Sequence, residues 1–251
     1  MQVVKIDSES IFDEGRHNRA KIGFVLLATE QTIEDDMMAL MPDGVGAHFT
    51  RVAIPDSITV DSLTAVGADL ARAASTLLPD GSLDVISYAC TSGSLVLGED
   101  TVFRELRKGA PKATATSLIT SAIHALKKLA VEKVAVCTPY LEEVNLKEKQ
   151  YLENQGFHVT KIRGLNLERD SDMIRVRPDV IEKLAHSVDS GAAEAVFISC
   201  GALRSIEVIE RLENTLNKPV ICSNQAMAWD VLRKAGVSDQ ISGYGQLLRD
   251  Y

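Results

Sequence analysis

The chain has 251 residues, 45% hydrophobic and 25% charged, the balance of an ordinary globular protein that can build its core without metal or disulfide staples. Its formal net charge is -8 with no dense cluster of Lys and Arg, which excludes nucleic acid as a partner but not a small anion held by local amides. No run approaches the roughly 18 to 20 apolar residues of a membrane span, and the polar opening MQVVKIDSESIFDEGRHNR lacks the layout of a secretory signal, so a cytoplasmic location is expected.

Short apolar runs alternate with amphipathic stretches along the chain. After a tail over residues 1–20, KIGFVLLA (21–28) is continuously apolar, as a central parallel strand should be, and AHFTRVAI (47–54) alternates like a more exposed one. Between them Glu34, Asp35 and Asp36 open a helix, where acids complement the dipole. SLTAVGADLARAASTLL (62–78) has helical spacing and LDVISYAC (83–90) is the next buried strand. Helical text follows at 102–109 and again at TSLITSAIHALKKLAV (116–131). The second half repeats the scheme. Strands are predicted at 132–140, 157–165, 194–200 and 219–223, and helices at 141–156, 177–191, 205–217 and 224–236. This alternation implies an α/β protein with parallel sheets covered on both faces.

In a reducing compartment the four cysteines, Cys90, Cys137, Cys200 and Cys222, are thiols, and none has the spacing of a zinc site. Cys137 and Cys222 lie in apolar text and read as small buried hydrophobes. Cys90 and Cys200 differ. Each ends a buried strand and precedes small residues, in DVISYACTSGS and AVFISCGALRS, at corresponding places in the two halves. The carboxyl end of a parallel strand is where ligands bind, and a thiol there can have its pKa lowered by a helix N-terminus. The small residues after each cysteine let backbone N–H groups approach a carboxylate or a forming enolate. The scattered histidines form no ligand pair, and Arg204 and Trp229 read as a surface side chain and a packing side chain.

YACTSGS, the TPY turn at 138–140, SCGALRS and the closing PVICSNQAMAWDVLRKAG (219–236) resemble the maleate isomerase and arylmalonate decarboxylase branch of the aspartate/glutamate racemase superfamily. The opening VLLATEQTIEDDMM (25–38) is most similar to the ectoine-utilisation subgroup. The resemblance implies two pseudo-symmetric lobes, each a roughly four-stranded parallel sheet flanked by helices, with the active site in the cleft between them. Lobe 1 would comprise residues 21–116 plus 219–251, and lobe 2 residues 117–218. It implies no cofactor and no metal, a small carboxylate as partner, and a homo-oligomer, dimer or tetramer.

Residue by residue, the resemblance gives Cys90 and Cys200 the two catalytic thiol positions: in isomerases the first adds to the double bond and the second acts as acid/base, and in racemases the two exchange an α-proton from opposite faces. It places Tyr140 as a carboxylate ligand, Gln31 where the isomerases carry an asparagine, and Asp170 where they carry another, with Asn166, Thr29 and Thr32 nearby. The amides of Thr91, Ser92, Gly201 and Ala202 would stabilise an enolate-like intermediate. Decarboxylases have glycine at the first position, so Cys90 counts against that reaction. Asp170 would repel a dianion and suit an ammonium group. The leading reading is a cofactor-independent isomerase or racemase acting on an amino acid or dicarboxylate; the alternatives are an arylmalonate-decarboxylase-like enzyme and a carboxylate-binding protein of ectoine utilisation without turnover.

Overall fold

The computed structural model describes residues 11–251, so the first ten residues of the expected tail lie outside the described residues. The chain begins with β1 (Ala20–Leu27), α1 (Ile33–Leu40), β2 (Val45–Val52), α2 (Val60–Val66), α3 (Leu70–Ala74) and β3 (Val85–Tyr88). It continues with α4 (Thr91–Leu97), α5 (Glu99–Gly109), β4 (Thr114–Ser117), α6 (Leu118–Lys128), β5 (Lys133–Thr138) and α7 (Glu142–Asn154). Then come β6 (His158–Gly164), α8 (Asp170–Met173), α9 (Pro178–Val188), β7 (Ala195–Ile198) and α10 (Ile209–Leu216). The chain closes with β8 (Val220–Cys222), α11 (Ser223–Lys234) and α12 (Gln246–Asp250).

The strands form two four-stranded parallel sheets of the same plan, β2-β1-β3-β4 and β6-β5-β7-β8. β1 and β5 are the first strands of their repeats, and β3 and β7 are equivalent third strands. Both third strands, VISY and AVFI, are buried at every position, because helices cover both faces of each sheet. One apolar cluster runs from Ile22 and Phe24 of the first sheet to Val136 and Phe197 of the second, and the two sheets share a core through it.

Three elements depart from the sequence expectation. Residues 114–117 form β4, not the start of a helix. TATS carries no apolar run, and Thr116 is buried instead through a 2.8 Å hydrogen bond to Asp230. The helix expected over 62–78 is two short ones, with α2 ending at Gly67. β8 pairs with β7, so the segment from residue 219 starts in the second sheet and not in lobe 1.

α11 leaves β8 directly and packs on α6 and α1, and so carries the chain from the second sheet back toward the first. Asp230 fastens it. Its carboxylate accepts from Thr116, from Ser121 (2.9 Å), from Lys234 (2.6 Å) and from His124 (2.9 Å). Burial opposes the charge, yet the His124 and Lys234 bonds hold this carboxyl down to about 2. Trp229 is buried on the same helix, as its packing role requires.

Glu148 of α7 is fully buried with neither oxygen hydrogen-bonded, and burial pushes its carboxyl up to about 7, offset only in part by the neighbouring Ser199 hydroxyl. The folded protein therefore keeps a proton here that the unfolded chain releases near 4.5, and stability falls as pH rises from about 4.5 to about 7, by about 3 kcal/mol. Asp36, also pushed to about 7 by burial, adds a loss of the same sign. In Glu148→Gln the stability lost between pH 4.5 and pH 8 shrinks by about 3 kcal/mol, read from urea midpoints at the two pH values.

Candidate active site

The two cysteines occupy equivalent positions, two residues beyond the ends of β3 and β7. Cys90 is the N-cap of α4. Its Sγ accepts the Gly93 N–H at 3.2 Å and lies 3.6 Å from the Ser92 hydroxyl. Gly93 has to be glycine because a Cβ there would run into the ring and hydroxyl of Tyr88. Cys200 has φ 119°, outside the range side-chain-bearing residues ordinarily adopt, a strain of about 1–3 kcal/mol.

The strained turn is held from three sides. The Cys200 N–H donates to Ser223 Oγ at 3.0 Å, Asn224 Nδ2 donates to the Gly201 carbonyl at 2.8 Å, and Thr32 Oγ1 donates to the Ala202 carbonyl at 2.9 Å. Asn224 also donates to Asp36 at 2.7 Å, which fixes its orientation. With both carbonyls tied back, the amides of the turn are left for the other side. Ser223 Oγ lies 3.1 Å from Thr91 Oγ1, so one hydroxyl connects the two cysteine turns.

Both thiols line one cavity of about 20 Å³, room for about a single water. Of the residues singled out in the sequence, Cys90, Thr91, Ser92, Tyr140, Asp170, Cys200, Gly201 and Ala202 come together in its wall. Tyr140, buried at the end of β5, directs its hydroxyl to the Cys200 thiol. Asp170 starts α8 and accepts a hydrogen bond from Thr29.

Gln31 does not join them. It is exposed, with its amide turned back toward the Thr29 carbonyl at 3.5 Å, and the preceding residue, Glu30, faces the cavity in its place. Glu30 is drawn inward because its carboxylate caps α1, accepting the N–H groups of Thr32 and Ile33 (2.9 Å to the latter). Leu27, Ile58, Ala89 and Met173 complete the wall. Asn166 and Arg204 lie outside it. Glu30 carries a sequence signal as the polar exit of a central strand, although the resemblance points to the amide of its neighbour Gln31.

A clasp joins the segments that carry Ile58 and Asp170 of this wall. Asp56, in the loop between β2 and α2, accepts from Arg169 Nε (2.8 Å), Ser171 N (2.9 Å) and Ser171 Oγ (2.7 Å), and its own carbonyl accepts the Asp170 N–H at 3.0 Å. The Ile58 N–H donates to the Glu168 carbonyl at 3.0 Å alongside. The Ser171 and Arg169 bonds hold the Asp56 carboxyl down at about 2.

The thiols are not activated in the way the strand-end position suggests. Burial pushes Cys90 up to about 11, against the opposing Gly93 N–H and Ser92 hydroxyl, and the charge of Asp170 adds to the rise. Burial, then Asp170, raise Cys200 well above the usual thiol value, against hydrogen bonds from Tyr140 and the Ala202 N–H. Desolvation in a closed cavity outweighs the local amides. Burial also raises Glu30 and Asp170. Cys137 and Cys222 are buried within the second sheet, away from the cavity, as their apolar surroundings implied. Among the described residues no cluster of His, Cys, Asp and Glu could hold a metal ion, and no helix is long and apolar enough to cross a membrane.

Two thiols at equivalent ends of repeated parallel sheets, lining one small cavity with backbone amides beside each, define a cysteine-based enzyme. The chain belongs to the arylmalonate decarboxylase family, which matches residues 22–248. It is 28% identical to a maleate isomerase of Nocardia farcinica over 91% of this chain and 95% of that one. It is 30% identical to the arylmalonate decarboxylase of Bordetella bronchiseptica over 53% of this chain and 56% of the relative. Its structure superposes on Nocardia farcinica maleate cis-trans isomerase carrying a covalently bound succinylcysteine intermediate with a TM-score of 0.85, at 25% identity, covering 92% of this chain and 99% of the other. The chain is thus an enzyme of the isomerase class within that family.

In the free protein, iodoacetamide should label Cys90 and Cys200 slowly at neutral pH, the rate climbing about tenfold per pH unit through pH 9 because the thiolate is scarce throughout. A plateau reached below pH 8 in the labelling rate of either residue, followed by peptide mass spectrometry, would contradict the burial described.

Proposed function

We propose that Cys90 and Cys200 act as an acid–base pair that isomerises a small carboxylate at the carbon next to its carboxyl group. The observation that carries this reading is the placement of both thiols, on equivalent third-strand turns, in the wall of the same cavity. One cysteine, as thiolate, takes the α-proton and becomes a thiol. The electron pair left on carbon delocalises into the carboxylate as an enediolate. The other cysteine gives its proton to the opposite face and becomes the thiolate, so the pair ends with its protonation states exchanged. The presence of Thr91, Ser92, Gly201 and Ala202 in the cavity wall supports a role for the amides of the two turns in stabilising the enediolate oxygens, with Tyr140 bonded to the Cys200 sulfur.

A second reading is covalent: one thiolate adds to a cis double bond, the new single bond rotates, and elimination returns the thiolate and the trans alkene. The succinylcysteine trapped in the Nocardia farcinica isomerase supports that route. The two routes differ in what solvent delivers. In deuterated buffer, proton exchange washes deuterium into the α-position, whereas addition holds the electron pair in the adjoining carboxylate until elimination returns it to the double bond, and no C–H bond is broken. We expect proton NMR to show loss of an α-proton signal from a small carboxylate, slowed about 100-fold or more in both Cys90→Ala and Cys200→Ala. Turnover that survives the loss of either thiol would overturn the two-thiol reading.

A further inference from the structure

The wall that holds the thiols also holds two carboxylates and no cation. Glu30 and Asp170 are each 5% exposed and line the cavity with Cys90 and Cys200, and no Lys, Arg or His is among the described lining residues. Neither acid forms an ion pair among the described residues. Each is anchored through one oxygen: Glu30 Oε1 takes the Thr32 and Ile33 amides, and Asp170 Oδ2 takes the Thr29 hydroxyl. That leaves Glu30 Oε2 and Asp170 Oδ1 without a hydrogen-bond partner among the described residues. They contrast with buried Asp230, whose carboxylate is met by Lys234 and His124. Buried carboxylates without a counter-charge are costly, and both of these residues line the cavity.

Resting on the two-thiol reading, we propose that the substrate is a small amino acid, its ammonium group seated between Glu30 and Asp170 and its carboxylate on the amides of the two cysteine turns. A dicarboxylate without an amine would bring two negative charges to a sealed wall already carrying two acids, with nothing to balance them. An ammonium group supplies the missing cation and three N–H donors to the two free oxygens. It also changes the thiols. The charge of Asp170 raises both, so a cation bound against Asp170 draws both down, and the base forms once the substrate is in place. An α-ammonium further favours departure of the adjacent proton as H⁺, leaving the pair of electrons in the enediolate. The step needs no partner beyond the two sulfurs. Thiol activation is then a consequence of binding the right charge type, and a dianion entering the same cavity would suppress it.

Matched pairs that differ by one ammonium group test this on the unaltered protein: aspartate against succinate, and glutamate against glutarate, each by calorimetry and by proton NMR in deuterated buffer. We expect at least one amino acid to bind about tenfold or more tighter than its amine-free partner and to exchange its α-proton. Asp170→Asn and Glu30→Gln, both isosteric, should each weaken that binding about tenfold or more while leaving or improving the weak binding of succinate. Equal or tighter binding of the amine-free acids, with Asp170→Asn reducing it, overturns the proposal. The two readings fail separately. Maleate turned to fumarate in a reaction needing both Cys90 and Cys200 removes the ammonium seat and keeps the thiol pair. Amino acids held through Asp170 and Glu30 but exchanged no faster than in Cys90→Ala and Cys200→Ala protein keep the seat and remove the thiol pair.

Discussion

The Ser223 hydroxyl, between the Cys200 N–H and the Thr91 hydroxyl, is the contact on which the site depends. Cys200 sits in a backbone conformation that its side chain disfavours, and without a fixed acceptor for its N–H the turn would relax and carry the thiol away from Cys90. Ser223 can be that acceptor because α11 begins there, at the end of a strand next to β7. Thr91 can reach it because α4 begins directly after Cys90. The register of the two sheets is thus converted into the relation between two sulfur atoms. Further along α11, Asn224 and Asp230 secure the same helix to the Gly201 carbonyl and to β4, so the scaffold of one lobe supports the chemistry of the other.

The electrostatics of the cavity are those of a site in waiting. Two thiols and two carboxylates share a space of about one water, and burial pushes all four toward their neutral forms. Such a wall is stable alone because it need not be charged, and the proposed ammonium group would be what makes it reactive. Activation by helix N-termini, which the position of the cysteines suggests, is present in the Gly93 and Ala202 amides but too weak to overcome desolvation.

Much of this was visible in the residues. The continuous apolar run at β1, the buried ends of β3 and β7 and the small residues after Cys90 and Cys200 express requirements of a parallel α/β sheet, and each leaves a local pattern. Features that depend on tertiary partners left none. β4 is buried by a hydrogen bond between Thr116 and an aspartate far along the chain, so it has no hydrophobic signature. The break between α2 and α3 follows from the capping of Thr59 by Ser62 and an ending at Gly67 within text whose periodicity runs on. Glu30 and Gln31 are adjacent and both polar. Which one faces inward is decided by the α1 amides that claim the Glu30 carboxylate, a choice periodicity cannot express.

The Asp56 clasp does more than join two segments of the wall. Asp170 belongs to the segment being clasped, through its N–H to the Asp56 carbonyl, and its carboxylate takes the Thr29 hydroxyl from the other lobe. Parting the lobes would therefore break the bonds that hold Asp170 in the wall along with the clasp. A ligand that cannot engage Asp170 lends nothing to that closure, and its dwell time rests on the exposed Arg169–Asp56 pair, a contact that dissolved salt weakens. With the proposed ammonium seat, selectivity would be exercised through residence, molecules of the wrong charge leaving before a proton can move.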